Sequence, residues 1–336
     1  MQEVSLEFLE ILRSAMTSPN IAAPLPLAQV TKADMPKKKP KSRVKKDSEW
    51  NCAVLLPDAQ IGFRKFEDGT LDPFSDADAI SVALQITAAL QDEFTVDAVI
   101  NLGDSMDLPM FGKYEQENSF FNTVNETLKA GHDFFAAQRA IAPNADIVFL
   151  EGNHDCRIEK YLKNRAPAAS NMRRVGEDAF PVTSLPHLMR FDDLNITYAS
   201  GYPASRYYLN NRLIAVHGTN ARSNGSTAYQ YINQNPMQTT LFGHSHRLEQ
   251  AYKTHSTIDG PVMNGAISPG CLCRVDGTVP SYKGGINLDE KPITQFENWQ
   301  QGIGVVWYKP SGSFRVELIH IMDGAAVYGG QEFRAK

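Results

Sequence analysis

The chain has 336 residues, enough for one large domain or two small ones around an ordinary core. Hydrophobic residues at 42% and charged residues at 21% exclude a disordered or fibrous chain, and no apolar run approaches the roughly 20 residues that a membrane-spanning helix needs. The net charge of -5 is uneven: Lys37 to Lys46 (KKKPKSRVKK) is strongly basic, and without its seven basic residues the balance is -12, which would repel nucleic acid unless bound cations offset it.

In chain order, residues 1–48 stand apart. Val4, Leu6, Phe8, Leu9, Ile11 and Leu12 form a short amphipathic helical pattern, followed by a Pro/Ala stretch and the basic run. This segment reads as a docking helix on a tether, or as a tail; the run is either a solvated linker or a phosphate-attracting arm. The start MQEVSLEFLEILRSAM lacks a secretory pattern, so a cytoplasmic location is expected, the host cytoplasm if the chain is viral. A catalytic domain is expected over residues 49–336.

Short apolar strands are predicted at Ala53 to Leu56, Ala98 to Leu102, Ile147 to Leu150, Leu213 to Val216 and Thr240 to Phe242. Helices are predicted at Ser75 to Asp92, with Ser75 or Asp76 as cap, and at Asn118 to Ala142. This alternation predicts an α/β layered fold. After residue 245 the pattern turns to strands. His255 to Gly265 reads as a connection, Gly304 to Tyr308 and Phe314 to Ile321 as a hairpin around KPSGS, and a second sheet closing a sandwich is expected. The four cysteines, Cys52, Cys156, Cys271 and Cys273, read as reduced thiols. The one-residue gap between Cys271 and Cys273 is not that of a zinc knuckle.

Each of the five strands is followed by metal-binding side chains: Pro57-Asp58-Ala59-Gln60, Gly103-Asp104, Glu151-Gly152-Asn153-His154-Asp155, His217-Gly218 and Gly243-His244-Ser245-His246. Any one of these groups is ordinary turn or capping chemistry. Five in succession at the carboxyl ends of strands are not, because such loops converge on one crevice in an α/β sheet. Glycine beside four of them fits close approach of backbone to a ligand.

The order GD, GNHD, strand-ending His and GHSH resembles the calcineurin-like metallophosphoesterase superfamily over about residues 50 to 250. The D-x-Q-I form of Asp58 to Ile61 resembles its bacteriophage and bacterial branch. The resemblance implies a four-layer α/β/β/α sandwich and two divalent cations. Asp104 would bridge them, Asp58 and His246 would hold the first, and Asn153, His217 and His244 the second. His154 would stabilise the transition state or protonate the leaving oxygen, oriented by Asp155. Gln60 stands where the superfamily has histidine. Its amide oxygen either ligates the first cation, favouring Mn2+ or Mg2+ over Zn2+, or leaves that ion weakly held; Fe2+ and Zn2+ remain open. Two such cations would withdraw charge from the phosphoryl oxygens and orient in-line attack.

Asp107 could orient the bridging loop or cap a turn. Arg157 could contact phosphate or pair with Glu159 or Asp155, and Asn220 and Arg222 could face substrate or simply lie in a polar loop. Protein phosphatases of the superfamily read GDxxDRG and GNHE, whereas Leu108 and Asp155 stand here. A phosphodiesterase or nuclease is therefore expected, with DNA or RNA drawn through Lys37 to Lys46. The alternatives are a phosphomonoesterase on a small or protein substrate, or a metal-binding scaffold that has lost activity. Residues 165 to 205 and 270 to 300 are expected to form the cleft rim.

Overall fold

The computed structural model describes residues 49–335 apart from 113–115, 177–178, 282–283, 288, 290 and 294–295. The helical pattern from Val4 to Leu12 and the basic run from Lys37 to Lys46 lie outside the described residues.

Two sheets carry the fold. The first is built of β1 Asn51–Leu56, β4 Ala98–Asn101, β5 Asp146–Leu150, β6 Ile196–Ala199, β12 Gln301–Tyr308 and β13 Phe314–Ile321, in the spatial order β13-β12-β1-β4-β5-β6. Strands β1, β4, β5 and β6 run parallel, and β12 closes antiparallel on β1. The second is built of β7 Arg206–Asn210, β8 Leu213–Val216, β9 Thr239–Phe242, β10 Leu248–Thr257 and β11 Gly260–Pro269, in the order β10-β11-β9-β8-β7. Its β8 and β9 are also parallel. A hairpin of β2 Phe63–Lys65 with β3 Leu71–Pro73, and one of β14 Ala325–Tyr328 with β15 Gln331–Arg334, complete the strands.

The period-two alternation of each strand decides the layers. Along β1, Ala53 and Leu55 join Ile100, Val148, Leu213, Ala215, Leu241 and Ile267 in a core between the sheets. Cys52, Val54 and Leu56 face the other way, onto α1 Ala77–Glu93 and α2 Val124–Ile141. On the outer face of the second sheet, α5 Thr227–Gln234 packs Tyr231 and Ile232 over Phe242 and Ala266. Helix, sheet, sheet and helix thus form four layers, the α/β/β/α sandwich expected. Two short helices, α3 Arg157–Arg165 and α4 Leu185–Leu188, lie between β5 and β6.

Asp76 is the cap of α1, its carboxylate accepting from the amides of Asp78 and Ala79. The α2 helix begins at Val124, after a separate 3-10 turn at Asn118–Phe120. His255 to Gly265 is not a connection: it is the turn end of the hairpin β10–β11, with His255 paired to Val262. Half its side chains are exposed, so no continuous apolar run marked it. No helix of the described residues is long and apolar enough to cross a membrane.

Candidate metal centre

The parallel strands of both sheets end on the same side, and their loops bring the five clusters together. Among the described residues ten that are not glycine have positive φ, and five of these are expected ligands: Asp58 (+32°), Gln60 (+44°), Asp104 (+47°), His244 (+66°) and His246 (+57°). Backbone of that kind costs on the order of 1–3 kcal/mol per residue and persists where its surroundings hold it. Here the loops are cross-tied. Gln60 N donates to Asp104 O at 2.9 Å, and the amides of Asp104, Met106 and Gly152 donate to Asp155 at 2.7, 3.0 and 2.8 Å. Two glycines are required by proximity: a Cβ at Gly152 would overlap the Asp104 carboxylate, and one at Gly103 the His217 ring.

The side chains fall into two groups. In the first, His246 Nε2 lies 3.2 Å from Asp58 Oδ1 and 3.2 Å from the Gln60 amide, whose Oε1 is buried without a hydrogen-bond partner. In the second, His217 Nε2 is 3.2 Å from Asp104 Oδ2, 3.1 Å from Asn153 Oδ1 and 3.3 Å from His244 Nδ1. His217 Nδ1 is turned to the Leu102 carbonyl at 2.8 Å, which leaves Nε2 facing the cluster. One ring nitrogen carries at most one proton, yet three potential acceptors crowd it. This excess of lone pairs, with the orphaned Gln60 oxygen, fits a cation at each group, and oxygen with imidazole donors suits Mn2+, Mg2+ or Zn2+. Asp58 accepts from the His244 amide at 3.0 Å and so links the groups.

Charge follows the same geometry. Burial would lower the His217 imidazole, but Asp104 beside it raises it to about 9. Burial and the nearby His217 charge push His244 down to about 4. Burial opposes ionisation of Asp104, yet the His217 and His154 charges hold its carboxyl well below the usual range.

His154 projects at the edge of this cluster with its side chain 13% exposed, Nε2 3.8 Å from Asp104 Oδ2, while its own amide donates to Asp104 Oδ1 at 2.7 Å. Asp155 does not orient the ring as expected; both its oxygens are taken by backbone amides. Asp107 occupies that place, its Oδ1 3.1 Å from His154 Nδ1, although out of line for a hydrogen bond. Arg157 pairs with Asp107 rather than with Glu159 or Asp155, and its Nη2 is 3.1 Å from His154 Nε2. Burial alone would raise Asp107, but the Arg157 and His154 charges outweigh it and lower its carboxyl. The Arg222 guanidinium is engaged elsewhere, donating to Gln230 at 2.7 Å, while the backbone N–H of Asn220 donates to the Tyr231 hydroxyl.

Two aromatic residues escaped the sequence reading. The Tyr202 ring lies 5.8 Å from His217 and the Trp299 ring 4.3 Å from His246, one beside each group. Both come from the segments expected to form the rim. The Tyr202 loop is fixed by Glu151, whose carboxylate accepts from the amides of Gly201 and Tyr202 at 2.7 and 2.8 Å. The Lys160 ammonium sits 5.2 Å from the Tyr202 ring centroid.

No protein-family model and no curated protein sequence matches the chain. Among solved structures it is similar to the NAD nucleotidase NadN of Haemophilus influenzae, at 11% identity and a TM-score of 0.33, with 86% of this chain and 54% of that one covered. It is also similar to a 5'-nucleotidase precursor from Thermus thermophilus, at 10% identity and a TM-score of 0.31, covering 80% and 54%. The chain spans about half the length of each.

Proposed function

We propose that this chain hydrolyses phosphoester bonds with two divalent cations, one held by Asp58, Gln60 and His246, the other by Asn153, His217 and His244, with Asp104 between them. The observation that carries this reading is the convergence of expected ligands in left-handed backbone around more lone pairs than protons. When bound, the cations supply charge to the phosphoryl oxygens and activate water for in-line attack. Mn2+ is the preferred ion, because Gln60 brings a hard oxygen donor to the first group.

The protein's own part is positioning and proton transfer. His154 Nε2 accepts from Arg157 Nη2 at 3.1 Å in this structure, so it gives a proton to the leaving oxygen as the imidazolium, which the Asp107 carboxylate near Nδ1 stabilises before transfer. Arg157 holds Asp107 in place and presents an N–H beside the same ring edge, where a phosphoryl oxygen would be bound. Asp155 keeps the β4 and β5 loops at fixed separation, a structural task.

A phosphodiester of nucleic acid or of a nucleotide is the substrate class we favour. Tyr202 and Trp299 flank the two groups and offer planar surfaces on which bases stack. The basic run from Lys37 to Lys46 adds attraction for phosphates. The test compares bis-p-nitrophenyl phosphate, single-stranded DNA, duplex DNA, RNA, cyclic nucleotides and phosphomonoesters with the full chain and Mn2+. Faster turnover of diesters is expected; equal or better turnover of monoesters removes the nuclease reading, and no turnover with any metal removes the enzyme.

A further inference from the structure

His246 stands between two donor sets of opposite character. Its Nε2 faces the oxygen donors Asp58 and Gln60. Its Nδ1 faces sulfur: Cys273 Sγ is 3.5 Å away, and donor atoms of His246, Cys271 and Cys273 all lie within 4.8 Å of one another, all three residues buried. The thiols are held on a rigid loop after β11. Cys271 N donates to Gln300 O at 3.0 Å, Leu272 N to Asp58 O at 3.2 Å, and Gln301 Nε2 to Cys273 O at 2.9 Å. One of those bonds ties the sulfur loop directly to the turn that carries Asp58.

We propose that Cys271, Cys273 and His246 Nδ1 form a separate site for a thiophilic cation such as Zn2+ or Cd2+, and that its occupation shuts down the adjacent oxygen-lined group. Two sulfurs and an imidazole nitrogen are a donor set that soft and borderline cations prefer, and three protein ligands leave one position for a fourth. Coordination releases the two thiol protons to solvent and involves no change of oxidation state. The exclusion follows from the ring itself. A neutral imidazole has one lone pair and one N–H. A cation at Nε2 leaves the N–H at Nδ1, pointing at sulfur; a cation at Nδ1 moves the N–H to Nε2, pointing at Asp58. One occupant removes the ligand that the other needs. The one-residue gap between the cysteines is not zinc-knuckle spacing; in the site proposed here the third donor comes from the GHSH loop and not from a second cysteine pair.

The site itself does not depend on the hydrolytic reading; only the inhibition does. The full-length chain is titrated with Cd2+ while the ultraviolet Cd–thiolate band and release of bound Mn2+ are followed, and turnover of bis-p-nitrophenyl phosphate is measured alongside. One Cd2+ with a two-thiolate band, loss of one Mn2+ and loss of turnover are expected in the wild type. In Cys271→Ser/Cys273→Ser the band disappears, and Cd2+ inhibits about 100-fold more weakly, the upper end of what removing even an outer-shell partner costs. If the double variant does not fold, Cys271→Ser alone should show half the band. No band, a band that persists in the double variant and so belongs to Cys52 or Cys156, or a full band without Mn2+ release would each overturn the proposal. A chain with no turnover but with the band and Mn2+ release intact would overturn the enzyme reading and leave this one standing.

Discussion

The two candidate cation groups are built differently although they share a cleft. The second is anchored in depth: His217 is fixed through Nδ1 on the Leu102 carbonyl, and Asn153 and His244 close on its other nitrogen. The first replaces an imidazole with the Gln60 amide, leaves Oε1 without a protein partner, and backs His246 against sulfur instead of a carbonyl. The lesson is that one group is pre-assembled by protein contacts while the other, on the function proposed, would be harder in character, weaker and exchangeable. Removing ligands from each side should therefore have unequal effects.

The largest effect is expected where the groups meet. Asp104→Asn should abolish turnover, by at least about 1,000-fold, as several kcal/mol of cation stabilisation are lost, and should weaken both ions in a metal titration. His154→Ala should reduce turnover by about 100- to 10,000-fold while both ions stay bound, since the residue acts on the proton and not on the metal. Turnover within tenfold of wild type would remove His154 from the chemistry. Gln60→His separates the groups most cleanly. It should strengthen Zn2+ at the first by on the order of tenfold and leave the second unchanged, as equilibrium dialysis would read. Equal changes at both would erase the contrast drawn here.

The two groups should also differ in their response to pH. Asp104 raises His217 to about 9, above its unfolded value of 6.5, so its protonated form contributes stability to the metal-free protein below about pH 6.5, and that contribution is lost as pH rises through about 9. A cation needs the neutral ring. Affinity at the second group should consequently fall by about tenfold per pH unit below 9, whereas His244, neutral down to about pH 4, adds no such slope. Isothermal titration with Mn2+ across pH 6 to 9 would reveal a flat profile if this assignment is wrong.

Much of the centre was legible because buried parallel strands are short apolar runs and their terminal loops carry the ligands within a few residues. The order of β1, β4, β5, β8 and β9 could be read for that reason. Strands β6 and β7 could not: ITYA is short and only its first residue is buried, and RYYLN alternates exposed with half-buried side chains, so neither forms an apolar run. The Asp107–His154–Arg157 arrangement was equally hidden. Which acid meets the ring depends on the path of the β4 loop, and the family resemblance had implied the adjacent Asp155. Tyr202 and Trp299 reach the cleft from distant segments, and nothing local in GYP or ENWQ marks them.

The most direct test of a paired, Asp104-bridged centre is an electron paramagnetic resonance titration of the full-length, metal-free chain with Mn2+. The account predicts two bound equivalents, with the signal of the first altered by spin coupling when the second arrives, and no coupling in Asp104→Asn. A single bound ion, or two that never couple, would contradict it.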